Sequence, residues 1–183
     1  MLSTRGFEAL TLRAVAAEMG ATTGLLTHYF PSKKALLAHA LELLDRRSQE
    51  RPRRLVPTDG GPPPAAGAAR LRAALLDILP LDGPGLAGNR IWVGSWDVAL
   101  ADPELAAAHA ARYARSRRVL AECVADAQRL GELPARPAAD PVAAGALGFV
   151  LGLVVQVLFA PEEFPAERQV ELLDTYLAGL AAP

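Results

Sequence analysis

Cysteine is almost absent from this sequence, in which Cys123 is the single example. A lone cysteine cannot form an internal disulfide, so the fold cannot depend on such cross-links. Because no segment has the pattern of a secretion signal, a reducing cytoplasm is the predicted location. A chain of 183 residues can bury about 70% of the surface that it exposes when unfolded, which allows a hydrophobic core without disulfides.

Aromatic residues are also scarce, at 5% of the sequence, while alanine is abundant. No run of residues alternates between apolar and polar side chains with hairpin turns on either side. Half-buried strands need that alternation, so we expect no β-sheet. The composition therefore predicts an all-α protein built from closely packed helices.

Residue groups that carry catalysis are missing as well. The histidines His28, His39 and His109 have no metal-ligand spacing with one another or with Cys123. We find no glycine-rich phosphate loop, nucleophile elbow or paired-carboxylate motif. The sequence therefore predicts no catalytic residue, no metal site, no cofactor and no enzymatic activity.

Charge of one sign is not in strong excess, since the formal net charge is −1 at pH 7. The distribution is nevertheless uneven. Residues 1–54 contain nine Lys and Arg against five Asp and Glu, hence +4, and residues 55–183 contain ten against fifteen, hence −5. This asymmetry indicates an N-terminal part that contacts a polyanion. A solvated basic face would give the same count.

Three short helices are predicted within residues 11–44. The first runs from Leu12 to Met19, with Thr11 as its N-cap and Gly20 after its last apolar residue. After a tight turn, the second runs from Thr23 to Phe30. Two short helices joined by such a glycine-containing turn form a helix-turn-helix.

The second helix presents small or hydrogen-bonding side chains on the side away from its apolar residues. They are Thr23, Gly24, Thr27 and His28. Threonine hydroxyls and imidazole can bond phosphates or base edges, and threonine methyls can meet the thymine methyl. The third helix follows Pro31 and is capped by Ser32. Lys33 and Lys34 lie in its first turn, where cations oppose the helix dipole and a bound phosphate would be favourable.

These residues resemble the TetR-type one-component transcriptional regulators. The resemblance lies in Gly6-Phe7, Thr11, the run Ala21 to Lys33 (ATTGLLTHYFPSK) and the leucine-rich helix that follows. In that family the segment from Thr22 to Lys33 contains the recognition helix and its phosphate clamp. The resemblance implies the following DNA-contacting residues: Thr11, Thr22, Thr23, Gly24, Thr27, His28, Tyr29 and Lys33.

Two features depart from the family pattern. Thr27 replaces the usual aromatic residue, which argues against a phosphate contact from that position. Only Met1 to Arg5 precede Gly6-Phe7, where the family has a full helix. One explanation is that the start codon lies further upstream, and we favour it because LSTRGF resembles the end of such a helix. The other is that the domain lacks this helix and no longer binds DNA tightly.

Composition changes sharply in the stretch Pro57 to Gly67, which holds four prolines and three glycines and is a predicted linker. We therefore predict a DNA-binding domain at residues 1–54, a linker at 55–67, and a helical ligand-binding and dimerisation domain at 68–183. The elements predicted for the last domain are helices at Ala68 to Leu79, Pro103 to Leu130, Val142 to Phe159 and Ala166 to Leu180, a break at Pro80 to Gly88, and a tryptophan-containing segment at Asn89 to Ala101.

The stretch Val142 to Ala160 has no charged residue and is nearly long enough to span a bilayer. Its glycines, Gln156 and flanks without Lys or Arg argue against a membrane span. We predict instead a core helix with no membrane contact. This helix and the last one together carry more apolar surface than a small domain can cover, so two identical hairpins are expected to pair into a four-helix bundle.

The order of segments from Ile91 onward resembles the C-terminal domain of the subgroup that contains the choline-responsive repressor of betaine synthesis. The resemblance implies a small-molecule effector of unspecified identity. The candidate effector contacts are Trp92, Trp96, Tyr113, Phe149 and Gln156. Aromatic residues at helical spacing are also common in plain cores. Asp97 beside aromatic faces would suit a cation. His109 would be either a sensor or, as we favour, a surface residue.

Taken with the resemblance, the sequence predicts a ligand-responsive repressor that binds a near-palindromic operator on double-stranded DNA. A homodimer formed through the two C-terminal helices would place one recognition helix in each of two major grooves. An effector would then release the DNA. The alternatives are a DNA-incompetent small-molecule-binding or interaction protein, if the first helix is absent, and a membrane-attached protein.

Overall fold

The computed structural model describes residues 11–50 and 66–181, and of residues 47–50 it describes the backbone only. Within those ranges the regular elements are helices and none is a strand, so the all-α prediction is confirmed. The expected remnant of a preceding helix at residues 2–7 lies outside the described residues. Nearly all of the predicted linker lies outside them as well.

Contacts divide the chain into two compact units. The first unit comprises residues 1–51 and 87–106, and the second comprises residues 52–86 and 107–183. Residues 87–106 therefore group with the helix-turn-helix, because their apolar side chains pack on its third helix. The functional division into 1–54, 55–67 and 68–183 follows composition instead and stays a prediction.

Three helices begin the first unit, namely α1 (Leu12–Glu18), α2 (Thr23–Tyr29) and α3 (Lys33–Glu50). Each starts at a hydroxyl that caps it, as predicted for α1 and α3. The cap distances from the hydroxyl oxygen to the backbone nitrogen that donates to it are 3.0 Å for Thr11, 3.3 Å for Thr22 and 3.1 Å for Ser32. Gly20 adopts a φ of 65° in the turn, a conformation that glycine adopts at little cost.

The remaining helices are α4 (Gly67–Leu76), α5 (Gly83–Gly94), α6 (Trp96–Leu100), α7 (Pro103–Arg129), α8 (Ala139–Phe159) and α9 (Ala166–Ala181). The break expected at Pro80 to Gly88 is mostly helical, and this expectation was wrong. The Gly85 amide donates to the Asp82 carboxylate at 2.6 Å, so Asp82 caps α5. Pro84 lies in the first turn, where the missing N–H removes no intrahelical hydrogen bond.

The core of the first unit is formed around α3. Its buried residues are Leu36, Leu37, Leu41, Ala99 and Leu105, and Leu12, Val15, Phe30, Ile91 and Trp92 pack against them. Leu26 anchors α2 and is also buried. Met19 is the last apolar residue of the predicted first helix, but it is 67% exposed and is the C-cap residue of α1.

The core of the second unit lies among α4, α7, α8 and α9. Its fully buried side chains include Leu71, Leu75, Leu120, Val124, Val150, Val154 and Leu173. The Arg72 guanidinium joins α4 to α9 by donating to both oxygens of Asp174, at 2.6 and 2.9 Å. Such a two-point contact fixes the orientation of the two helices as well as their distance.

Helix α8 is long and apolar enough to cross a bilayer by length and composition alone. Of its most apolar stretch of 18 residues, 39% is buried. Its buried residues recur at helical spacing: Ala143, Ala146, Leu147, Val150, Leu153, Val154 and Val157. Gly145, Gly148, Gly152, Gln156 and Phe159 are exposed on the remaining surface. Helix α8 therefore has one face in the core of the second unit and one face outside it.

Candidate nucleic-acid interface

Helix α2 has one anchoring face and one exposed face. Leu26 is buried and Phe30 is partly buried, which fixes the helix on the first unit. All eight predicted DNA contacts are exposed: Thr11, Thr22, Thr23, Gly24, Thr27, His28, Tyr29 and Lys33. The structure therefore places them where a duplex can reach, while the contacts themselves stay predictions.

The threonines of this face differ in what they can still bond. Thr11 and Thr22 accept backbone hydrogen bonds as caps, so their hydroxyl hydrogens are left to donate to a phosphate. Thr27 instead donates its hydroxyl to the Thr23 carbonyl at 2.8 Å. What Thr27 can offer is an acceptor oxygen and a methyl group, which suit base edges better than phosphates.

The middle and the end of α2 are open to a partner. A Cβ added at Gly24 would meet no atom of this chain within 4 Å. His28 and Tyr29 are in edge-to-face contact, with ring centroids 5.4 Å apart, and Tyr29 is 68% exposed. An aromatic pair therefore extends from the end of the helix into solvent.

Leu25 is a candidate contact that the sequence reasoning missed. It is 52% exposed on α2, where its side chain could pack against a thymine methyl. The signal was present, because Leu26 and Phe30 lie one turn apart and mark the buried side of α2, and Leu25 points about 100° away from Leu26.

The two lysines at the start of α3 have different environments. Lys34 Nζ lies 2.8 Å from a carboxylate oxygen of Asp102 and 2.8 Å from one of Glu104. Hydrogen bonding to these carboxylates raises the pKa of Lys34, and the hydrogen bond from Lys34 lowers the pKa of Asp102. The sequence suggested a phosphate site for both lysines. Of these two lysines, Lys34 is in ion pairs, and Lys33 has none with the described part of the chain.

Asp102 also caps α7. One of its carboxylate oxygens accepts from the amides of Glu104 and Leu105, at 3.0 and 3.2 Å. The same side chain therefore joins the start of α7 to the start of α3, through Lys34. Since α3 directly follows α2, this residue links the position of the first turn of α7 to that of the candidate DNA-binding face within the first unit.

The predicted effector residues lie in both units. Trp92 packs against the core of the first unit, and Trp96 is the first residue of α6. In the second unit, the Tyr113 ring lies 6.1 Å from that of His109, and Phe149 stacks on Tyr176 with centroids 4.3 Å apart. Phe149 and Gln156 line one cleft between α8 and α9 of about 430 Å³. Effector contact by these five residues stays a prediction.

His109 is buried, so the expectation of a surface position was wrong. Burial lowers its pKa, and the nearby Arg112 lowers it further. Among the described residues there is also no group of His, Cys, Asp or Glu side chains that could hold a metal ion.

Comparison with known protein families gives two matches that together span most of the chain. Residues 67–182 match the C-terminal domain of BetI-type transcriptional repressors, and residues 1–40 match the tetR family of bacterial regulatory proteins. The chain is 26% identical over 182 residues to the HTH-type transcriptional regulator BetI of Paraburkholderia phymatum, over 97% of this chain and 85% of that protein. It is 27% identical over 183 residues to the BetI regulator of Burkholderia mallei, over 97% and 86%.

Solved structures agree with this assignment of the fold. A transcriptional regulator from a Rhodococcus species matches with a TM-score of 0.78 at 26% identity, over 98% of this chain and 89% of the other. A regulator from Saccharomonospora viridis, solved in complex with choline, matches with a TM-score of 0.81 at 20% identity, over 97% and 89%. The helix-turn-helix geometry and these matches lead to one conclusion: the chain belongs to the TetR family of DNA-binding transcriptional regulators, and its C-terminal domain is of the BetI repressor type.

Proposed function

We propose that this regulator is a homodimeric repressor that binds a near-palindromic operator and is released by a small-molecule effector. The observation that carries the proposal is the exposed face of α2, where threonines, Gly24 and an aromatic pair lie beside Lys33. A cytoplasmic location follows, since bacterial operator DNA lies there. The alternative, a DNA-incompetent binding protein, predicts effector binding without DNA binding.

The proposed contacts divide into those that position the protein and those that read sequence. Thr11, Thr22 and Lys33 would contact phosphates, because two of them keep a hydroxyl hydrogen to donate and the third has an ammonium group at a helix start. Thr23 and Thr27 would contact base edges in the major groove. A second copy would present the same face to the other half-site, at a spacing of about 34 Å along the duplex or a multiple of it.

The effector is proposed to act through the start of α7. Asp102 holds the first turn of α7 and Lys34 of α3 at once, so a ligand that displaces this turn would move α3 and, with it, α2. A change in the separation of the two α2 helices would remove them from successive grooves. Linkage then requires that effector and operator weaken each other's binding by the same factor.

Choline is the first compound to test, because the related Saccharomonospora viridis regulator was solved with it. A quaternary ammonium ion favours aromatic faces, which Trp92, Trp96, Tyr113 and Phe149 could offer, and Gln156 could fix its orientation. Replacing each of these residues singly by alanine, and titrating choline by calorimetry, tests each contact. A panel of small cations and metabolites that never releases the operator in a gel shift would contradict ligand-gated repression.

Lys33→Ala and Lys34→Ala form a matched pair, because they remove the same charge from neighbouring positions. Lys33→Ala should weaken binding to operator and unrelated DNA alike and should reduce the slope of log K against log salt by about 1, since one phosphate contact is lost. Lys34→Ala should leave that slope unchanged, because the Lys34 ammonium already pairs with two carboxylates. Fluorescence anisotropy over a salt series measures both, and equal slopes for the two variants would contradict the assignment.

A further inference from the structure

Phe159, the last residue of α8, is 84% exposed. Burying a phenylalanine side chain is worth about 1.5 to 3 kcal/mol, a stabilisation that an isolated chain forgoes here. The preceding part of α8 adds no charge to this surface, since no Asp, Glu, Lys or Arg occurs from Pro141 to Ala160. An exposed aromatic residue at the end of a long stretch without charged residues indicates a surface that another molecule covers.

The same surface contains a depression that could receive such a side chain. The cleft of about 430 Å³ between α8 and α9 is lined by Gly148, Phe149, Gly152, Leu153, Gln156, Phe164, Arg168 and Leu172. A Cβ added at Gly148 or Gly152 would meet nothing within 4 Å, so the glycines keep the cleft open. Its volume exceeds the roughly 150 Å³ that accommodate a benzene molecule in a protein cavity.

Phe159 and the cleft between α8 and α9 are suitably spaced for a two-fold interface. Phe159 and Gly152 are seven residues apart on one helix, or about 10.5 Å along its axis. When two copies of a helix pack antiparallel about a two-fold axis, a contact from Phe159 to the partner's Gly152 is repeated by symmetry from Gly152 to the partner's Phe159. The axis then passes midway between these two positions, beside Val155 and Gln156.

The available area is sufficient for a stable dimer. With its 21 residues, α8 is about 31 Å long, and two neighbouring helices present a face roughly 20 Å wide. That face covers about 600 Å² per subunit, or roughly 1,200 Å² in total, which exceeds the approximately 1,000 Å² expected of a specific interface.

We propose that Phe159 of each subunit inserts into the cleft between α8 and α9 of its partner, with Gln156 beside the two-fold axis. This proposal rests on the homodimer proposed above and specifies its register. Gln156 is the one polar residue between Pro141 and Phe159, and at the axis its amide meets the amide of the partner's Gln156. In this register Phe149 and Gln156 contact the partner subunit, so neither would contact the effector. Two amides can satisfy each other there, which fixes the register of an otherwise apolar interface.

The first test uses cross-linking in the full-length protein. Gln156→Cys should form a covalent dimer under mild oxidation, because two thiols beside a two-fold axis lie close together. The native Cys123 is fully buried and should not interfere. Ala110→Cys, at an exposed position on α7, is the matched control and should stay uncross-linked at the same protein concentration.

The second test changes Phe159 and the cleft between α8 and α9 separately. Phe159→Ala and Gly152→Leu should each raise the dimer dissociation constant at least 100-fold in analytical ultracentrifugation, while the far-ultraviolet circular dichroism stays that of the parent. Two controls should leave that constant unchanged. Leu100→Ala removes a side chain that is 86% exposed, and Gly88→Leu fills a helical position with equally open space.

The outcomes separate the two proposals. A parent protein that is monomeric at micromolar concentration overturns both the homodimer and its register. A dimeric parent that tolerates Phe159→Ala and Gly152→Leu, or whose Gln156→Cys variant does not cross-link, overturns the register alone. If Gly152→Leu abolishes choline binding and leaves the dimer intact, the cleft is an effector site and the register is again wrong.

Discussion

Gly24→Glu is expected to reduce operator affinity at least 100-fold, equivalent to about 2.7 kcal/mol. Gly24 lies on the exposed face of α2, and a Cβ there would meet no atom of the chain itself. The variant should therefore fold normally. Its carboxylate would point into the space assigned to DNA, where it would face phosphates and lose its solvation. Competition anisotropy with the operator measures the loss.

Gly24→Ala and Ala110→Glu are its controls. Gly24→Ala should stabilise the helix by about 0.5 to 1 kcal/mol, so weaker DNA binding by this variant would report close approach of the duplex rather than misfolding. Ala110→Glu places the same charge at an exposed position of the second unit and should leave affinity unchanged. Wild-type affinity in Gly24→Glu would remove α2 from the DNA-binding surface.

Val150→Asp is expected to unfold the second unit at ordinary temperatures. Val150 is fully buried in a helix that contains no Lys or Arg, so its own helix offers the new carboxylate no ion-pair partner. An unpaired buried charge costs several kcal/mol, which is comparable with the 5 to 15 kcal/mol that stabilise a typical domain. Thermal unfolding followed by circular dichroism should show loss of the cooperative transition.

Gly148→Asp is the matched control on the opposite face of α8. Gly148 is exposed and has open space around it, so this variant should keep its helical spectrum and weaken only self-association. A membrane-spanning helix would face lipid or protein on every side, and both aspartates would then be costly. Similar destabilisation by the two substitutions would therefore contradict the expectation that α8 is a core helix with no membrane contact.

The helices near the N-terminus were predictable from local chemistry. Thr11 and Ser32 cap the helices that follow them, and Gly20 ends α1 in a left-handed turn, because these preferences act within one helical turn. The start of α5 was not predictable from glycine and proline content. There the Asp82 side chain provides a cap that outweighs the low helix propensity of Gly83 and Pro84.

The remaining differences arise from contacts between distant segments. Lys34 pairs with Asp102 across 68 positions of sequence, and no local pattern distinguishes it from Lys33. His109 is buried because of what packs on α7, whereas its own neighbours are mainly alanine. The identities of the α2 residues were sufficient to locate the candidate DNA-binding face. Which lysine remains for phosphate depends on the tertiary structure.

Nuclease protection on the DNA upstream of the gene tests the central claim most directly, namely that two copies of α2 read one operator. The account predicts two protected segments of inverted sequence, with centres separated by about one helical turn or a multiple of it. Both should disappear together in Gly24→Glu. A single protected segment, or no protection by the folded full-length dimer, would contradict it.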